Sequence, residues 1–515
     1  MGVIELFDRG ATLFPDRACL VGQERWLTYR EVSARTFGIA AGLAAQGLAS
    51  GGVAALYSPN CIAAFECMLG IYRARAIYTP VNARAHVAES VHILSYCEAA
   101  ILFYHSSLET QVAEIRKQCP QLLHFVCIDC EGAYGSFLDR WIPAETAPFV
   151  WAPRQRDALV SLHGTGGTTG LPKIAKFSSL IWDVMAANYL AVPRRTSHPV
   201  YLMAAPMTHA AGTVGFPMLS QGATIVIQDH FDAAQFLAAI ERHRVTHTYL
   251  PPTAIYMLLS SEALLNHDYS SLEAFTYAAA PMSVDKLRQC IQVFGPVMMQ
   301  FYGQTEAPMF CTCLLPEDHN VDDPSLAHRL LSCGRPMLLT EVAVMDDDGR
   351  LLPRGERGEI VVRGDLVMLG YLKNDAATAE VSKFGWHHTG DVGVIDEGGF
   401  VYIVDRKKDM IITGGFNVYP SEIEQVIWSH AAVQECAVVG VPDAKWGEAV
   451  KAVIELKRGA TAEADEIIEL CKSRLGSIKA PKSVEFWDAL PRTPVGKVSK
   501  KDIRAKFWIG QQRSI

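Results

Sequence analysis

The sequence has no surplus of basic charge. Its 47 Lys and Arg stand against 55 Asp and Glu, a formal charge of −8. The basic face of a nucleic-acid binder is therefore not expected, and an anionic ligand must be held by local groups. The opening M-G-V-I-E-L-F-D lacks the basic and apolar regions of a secretory leader, and Leu6 stands where a myristoylation signal needs Ser or Thr. No apolar run is long enough to span a bilayer. Thr196 to Gln228 lacks Asp, Glu, Lys and Arg, but Pro199, Pro206, Gly212, Gly215, Pro217 and Gly222 interrupt it. That pattern predicts a buried strand, loop and helix. Thirteen cysteines follow no framework, so they read as reduced thiols of a cytoplasmic protein. Cys127 and Cys130 have C-x-x-C spacing without a second pair, which favours a strand end over a metal or redox site. There is no internal repeat and no low-complexity tract.

What the sequence does hold is concentrated in Ser161 to Lys173, S-L-H-G-T-G-G-T-T-G-L-P-K, behind the apolar run Ala158-Leu159-Val160. Glycine lets backbone N–H groups close on a ligand, and successive N–H groups in a turn make a concave anion site. Threonine hydroxyls add neutral donors, and Lys173 adds a movable charge suited to phosphate. The Walker spacing fails because Leu171 and Pro172 separate Gly170 from Lys173. The dinucleotide spacing fails because Thr169 stands where the third glycine belongs. Taken alone, the loop fits either a polyphosphate cradle or a ligand-free surface turn.

A chain of 515 residues divides into at least two domains. Strands are expected at 26–29, 53–57, 76–81, 100–104, 200–204, 223–227 and 246–250. Helices are expected at 28–46, 61–74, 89–98 and 233–243. This rhythm argues for parallel sheets layered with helices. From Glu341 the texture turns β-rich, predicting a barrel-like or antiparallel subdomain. The charged knot Asp405-Arg406-Lys407-Lys408-Asp409 is either a solvated turn or a hinge, and a smaller α+β pattern follows it.

T-G-G-T-T-G-L-P-K resembles the signature loop of the adenylate-forming superfamily: acyl- and aryl-CoA synthetases, adenylation domains of peptide synthetases, and firefly-type luciferases. Further motifs recur in that family's order over nearly the whole chain. P-M-T-H-A-A-G at 206–212 resembles the segment walling the acyl pocket, with His209 as its gating histidine. A-A-A-P at 278–281 resembles the G-G-A-P turn against the nucleotide, with alanine in place of both glycines. Y-G-Q-T-E at 302–306, T-G-D at 389–391, V-P-D-A-K-W-G-E at 441–448 and P-R-T-P-V-G-K at 491–497 match family segments.

The resemblance implies an α/β fold. A large N-terminal domain (1–405) would carry the β-rich subdomain at about 335–404, with a hinge at 406–409 centred on Lys408 and a small mobile C-terminal α+β domain (410–515). It implies ATP, Mg²⁺ and CoA as cofactors. The phosphates would lie on Thr165, Gly166, Gly167, Thr168, Thr169, Gly170 and Lys173, and the nucleotide against Ala279 and Ala280. The adenine would rest on Tyr302, the α-phosphate on Thr305, Mg²⁺ on Glu306 and the ribose on Asp391 and Arg406. The acid pocket would be lined by His209, Thr213, Ala278 and Gly303. Gly414, Gly415 and Trp446 would flank the pantetheine arm. Lys497, Thr305, Glu306 and His209 form the expected catalytic set. Each role suits its chemistry: a flat ring for a base, a neutral donor for phosphate, a hard oxygen for magnesium. His387-His388 reads as structural, no third ligand standing at metal spacing. Ile174 occupies a position where the family has glycine, and a β-branched residue would be strained there if positive φ were required.

The implied reaction is that of an acyl-CoA synthetase of the fatty-acid or carnitine-type ligase kind. The carboxylate attacks the α-phosphorus of ATP, giving acyl-AMP and pyrophosphate, and a thiol then expels AMP. Rotation about the hinge would serve the two steps in turn. Transfer to a carrier-protein phosphopantetheine, and a non-catalytic nucleotide-binding relative, are the alternatives. The partner is a small carboxylic acid, whether aliphatic, aromatic or polycyclic; neither nucleic acid nor an integral membrane segment is expected, and a homodimer is an expectation of the resemblance.

Overall fold

A computed structural model describes residues 2–48, 50–144, 155–165, 171–192, 196, 198–319, 323, 325–443, 445–493 and 497–508. Among these, the strands form four sheets. A seven-stranded sheet runs in the order Ser136–Phe137, His124–Cys127, Ile101–Tyr104, Val53–Tyr57, Ile77–Val81, Leu159–Gly164, Ile174–Ser178. Every neighbouring pair in it is parallel except the last, an antiparallel hairpin. A nine-stranded sheet runs from Arg335–Pro336 through Ala307–Leu314, Met298–Gln304, Ala274–Tyr277, His247–Leu250, Val200–Met203, Thr224–Ile227 and Ala18–Val21 to Trp26–Thr28. Its centre is parallel and its edges antiparallel.

The alternating pattern expected from the sequence is thus present, with helices on both faces of the seven-stranded sheet: Ala54, Leu56, Ile101 and Phe103 pack with the helix Ile62–Arg73, and Ala55, Tyr57, Leu102 and Tyr104 with Ile93, Val112 and Ile115. Every residue of the helix Ile62–Arg73 is buried, as an all-round apolar helix requires. The one charge that this helix buries near its end, Arg73, donates to Thr36 Oγ1 at 2.8 Å and pairs with Asp8. The expected overlap of strand and helix at Thr28 is a capping box. Thr28 ends its strand, its hydroxyl accepts from the Glu31 N–H, and the Glu31 carboxylate accepts from the Thr28 N–H at 2.7 Å. The charge-free stretch folds as the strand Val200–Met203, the buried helix Ala210–Leu219 and the strand Thr224–Ile227. Among the described residues no helix is long and apolar enough to cross a membrane.

Of the two forms expected after Glu341, the strands Glu341–Met345, Arg357–Arg363, Ser382–Lys383, Trp386–Ile395 and Val401–Arg406 trace an antiparallel sheet. From Ile411 onward a further five-stranded sheet packs with the helices Pro420–Trp428, Ala464–Lys479 and Lys500–Phe507 around hydrophobic clusters of its own.

Ile174 corrects the concern about strain. It starts the strand Ile174–Ser178, pairs with Gly164 and is absent from the residues with positive φ. Its side chain, 1% exposed, packs with Leu162, Val81 and Ile93. Ile174→Gly, which restores the family residue, is expected to cost about 3–5 kcal/mol through lost packing and added chain entropy. The denaturant midpoint at unchanged slope measures it. Ala279 differs in this respect, with φ at +79°, where an L-residue pays about 1–2 kcal/mol.

Candidate active site

The expected nucleotide residues meet where three strands and the C-terminal segment converge. Tyr302, on Met298–Gln304, donates its hydroxyl to Asp391 Oδ2 at 2.7 Å. Asp391, on Trp386–Ile395, lies directly opposite Arg406 in the antiparallel ladder, and its Oδ1 takes Arg406 Nε at 2.9 Å. The carboxylate is 5% exposed and the guanidinium 44%, so one edge of the arginine faces open space. Gly390, at φ +71°, lets the strand turn, and its N–H reaches Glu359 Oε1 at 3.0 Å. Burial, then the Asp391 charge, hold the Tyr302 phenol well above its ordinary range, so it remains a donor. The Asp391 charge raises Arg406 further.

Lys497 lies beside this pair. Burial, then repulsion from Arg406, lower its ammonium to about 8, against the opposing pull of Asp391. Its backbone closes a turn with Thr493, N–H to Oγ1 at 3.2 Å. Several contacts tie the C-terminal segment to the larger part. Asp405 Oδ2 accepts the Ser421 N–H at 2.8 Å, Gln425 reaches the Met282 carbonyl, and Arg357 pairs with Glu422 at 3.5 Å.

A second group forms around Glu306. Its Oε1 accepts the Tyr371 hydroxyl at 2.6 Å, and Lys173 Nζ lies 4.9 Å from the centre of the same tyrosine ring. Tyr371 is bridged to Ala175 in the phosphate-loop hairpin. It was not legible in the sequence because its partners are remote and no local pattern marks it. The Thr165 N–H donates to the Lys173 carbonyl at 2.8 Å and closes the base of the loop. The five expected phosphate contacts Gly166, Gly167, Thr168, Thr169 and Gly170 lie outside the described residues. Thr305 stands between Gln304, whose amide reaches the Thr389 carbonyl at 3.3 Å, and Glu306. Gly303 marks an irregularity in the ladder where a Cβ would lie 2.5 Å from the Met309 nitrogen.

Of the residues expected to line the acid pocket, His209 caps the helix Ala210–Leu219, and Thr213 one turn on donates to its carbonyl at 3.4 Å. Its Nδ1 lies 2.9 Å from Thr208 Oγ1, and burial lowers the imidazole to about 4. Ala278 is buried directly after the strand Ala274–Tyr277, and Ala280 precedes Pro281 in the turn that Ala279 bends.

Gly414, Gly415 and Trp446 are placed elsewhere. Gly414 and Gly415 form the turn between the strands Ile411–Thr413 and Phe416–Val418, the Gly414 N–H meets the carbonyl of Trp446 before the strand Gly447–Leu456 at 2.9 Å, and Phe416 and Trp446 face solvent. Lys408 is exposed at the end of the preceding strand, its ammonium lowered by burial of its neighbourhood and then by Arg406.

His388 pairs with Glu359 at 3.1 Å, while His387 is buried and lowered to about 4. The ligand atoms of Cys127, Asp129 and Cys130 lie within 4.8 Å of one another. Burial pushes the Cys127 thiol up to about 12, which keeps it protonated and a poor nucleophile.

Two family models match the chain: AMP-binding enzyme over residues 7–372 and AMP-binding enzyme C-terminal domain over 422–497. The medium/long-chain-fatty-acid–CoA ligase FadD8 of Mycobacterium tuberculosis is 40% identical over 403 residues, 77% of this chain and 68% of that protein. A feruloyl-CoA synthase from an Amycolatopsis species is 35% identical over 93% of this chain and 94% of its own. The anthranilate CoA ligase AuaEII, solved in complex with anthranoyl-AMP, superposes with a TM-score of 0.90 at 25% identity, covering 98% of this chain and 97% of that one.

Proposed function

Because the chain belongs to the AMP-binding enzyme family, we propose that its site activates a carboxylic acid with ATP as acyl-AMP and passes the acyl group to the thiol of CoA. A carboxylate is a poor electrophile and needs a leaving group before a thiol can attack it. The observation that carries the reading is the meeting of Tyr302, Arg406 and Lys497 around the one buried carboxylate of Asp391. In this assignment Asp391 and the open edge of Arg406 hold the ribose hydroxyls, and the Tyr302 ring takes the adenine. Lys497 stabilises charge that develops on the α-phosphate and the acid as they join. Thr305 contributes a neutral donor, and Lys173 steadies the outer phosphates beside the loop.

Glu306 suits Mg²⁺: Tyr371 holds Oε1, and Oε2 has no protein partner among the described residues. The ion, when bound, neutralises phosphate charge. Gly414, Gly415 and Trp446 are assigned to the pantetheine arm, where a backbone must pass close to a thin ligand. All thirteen cysteines are free thiols, which supports a reducing, cytoplasmic setting.

The test is pyrophosphate exchange into ATP with a mixed panel of acids. Acid-dependent exchange that EDTA abolishes is expected; a nucleotide binder without turnover gives none. Supplying CoA or a phosphopantetheinyl carrier then identifies the acceptor, and CoA is expected to release AMP.

A further inference from the structure

The hairpin leading into the phosphate loop carries two polar side chains on its inner face. Ser161 and His163 alternate with Leu162, which points the other way into the cluster shared with Ile174. His163 stacks on Phe177 at 4.3 Å between centroids, with Tyr78 and Trp182 beside it at 6.3 and 6.5 Å. Trp182 meets Tyr72 and Phe216 at 5.9 and 5.6 Å. Phe216 belongs to the helix that His209 caps, and its ring reaches back to 3.7 Å of a Cβ built on Gly212. The aromatic walls around His163 are therefore continuous with the wall of the acid pocket. His163 and His209 each stay only half-buried, although their elements are interior. Burial, then His209, lower His163 to about 3, and burial lowers His209 to about 4, so both rings are neutral.

Among the described residues, Nδ1 of His163 and Nε2 of His209 have no hydrogen-bond partner. Each ring's other nitrogen is engaged, His163 Nε2 with Ser161 Oγ at 3.0 Å and His209 Nδ1 with Thr208 Oγ1 at 2.9 Å. Trp182 Nε1 can only donate, and it reaches Ser161 Oγ at 3.4 Å. Ser161, with two lone pairs and one proton, accepts from the indole and either donates to Nε2 of His163 or accepts from it. In both tautomers Nδ1 is the open nitrogen of the neutral ring, a donor in one and an acceptor in the other.

Resting on the acid-ligase reading, we infer that His163 is a specificity-determining residue of the acid pocket, set to hydrogen-bond through Nδ1 to an oxygen group on a ring-bearing acid. The substrate class is a rigid aromatic or polycyclic carboxylic acid with a ketone or hydroxyl remote from the carboxylate. A straight alkyl chain would cover the two imidazole nitrogens without satisfying either. Flat rings bearing one hydroxyl or ketone oxygen match both the aromatic walls and the open nitrogen.

The test compares three acids of equal carbon count in pyrophosphate exchange: an oxo- or hydroxy-substituted ring acid, the same ring without the oxygen, and an alkanoic acid. The wild-type chain is expected to favour the oxygenated ring at least about tenfold in kcat/KM over either, or about 1.4 kcal/mol. His163→Phe keeps the stack on Phe177 and removes the open nitrogen, and is expected to bring the two ring acids within about threefold. Ser161→Ala, a milder change that releases the tautomer, is expected to reduce the preference partway, and His163→Gln to restore part of it. Equal use of the three acids by the wild type, or an undiminished ratio in both His163→Phe and Ser161→Ala, overturns the inference while leaving the ligase reading standing. Exchange with no acid at all removes the ligase reading, and this inference with it.

Discussion

Lys497→Ala is expected to abolish acyl-AMP formation while sparing thioester formation from supplied acyl-AMP. Loss of one preorganised donor to developing charge costs about 10²–10³ in rate, or about 2.7–4 kcal/mol. Lys497 is the cation placed beside the Asp391–Arg406 pair by the last turn before the final helix. The pH dependence supplies an independent reading of the same residue. Burial and Arg406 lower its ammonium to about 8, and the protonated form is the one that stabilises anionic charge. Adenylation should therefore be full below that value and fall as pH rises through it. The thioester half-reaction, which does not use Lys497 in this scheme, should lack that limb. Equal loss of both half-reactions in the alanine variant would contradict the assignment.

Gly415→Leu is expected to give the reverse pattern, adenylation kept and thioester formation reduced about a hundredfold, the scale of an ångström's misplacement. The reason is conformational. Gly415 sits at φ +83° with no atom within 4 Å of a built Cβ, so space is available but the backbone angle disfavours any L-residue. Its neighbour Gly414, at φ +57°, has no such space, since a Cβ there would lie 2.6 Å from the Trp446 ring. The hairpin keeps its shape only with glycine at both positions. CoA turnover that survives Gly415→Leu would remove this hairpin from the thiol's path.

Much of the scaffold was legible because hydrophobic period and turn chemistry are local. The strand Val53–Tyr57 and the helix Ala233–His243 have the expected bounds. The expected ends of the helix at 61–74, Cys61 and Ala74, are its caps. Contacts distant in sequence were not legible. Nothing near Tyr371 announces that its hydroxyl fixes Glu306, or that its ring lies under Lys173. Glu359 likewise gathers the Gly390 N–H and His388 from the neighbouring strand Trp386–Ile395 and Lys407 from beyond the end of Val401–Arg406. Ile174 was misjudged because a family glycine suggested a turn conformation, whereas ladder pairing with Gly164 makes that position ordinary strand. His163 read only as one letter of a loop motif, since its importance depends on the rings that three other elements bring around it.

The solvent-facing turn at Gly414 and Gly415, with Trp446 against it, belongs to the same C-terminal segment as the half-buried Lys497, which has a consequence for the order in which reactants arrive. In the proposed scheme a chain in this posture would take the acid and the nucleotide first, and the thiol would reach its doorway only once the small sheet had turned about the hinge. Free CoA would then be a late visitor rather than a rival for the triphosphate, and a chain starved of acid would wait in the first posture without squandering either.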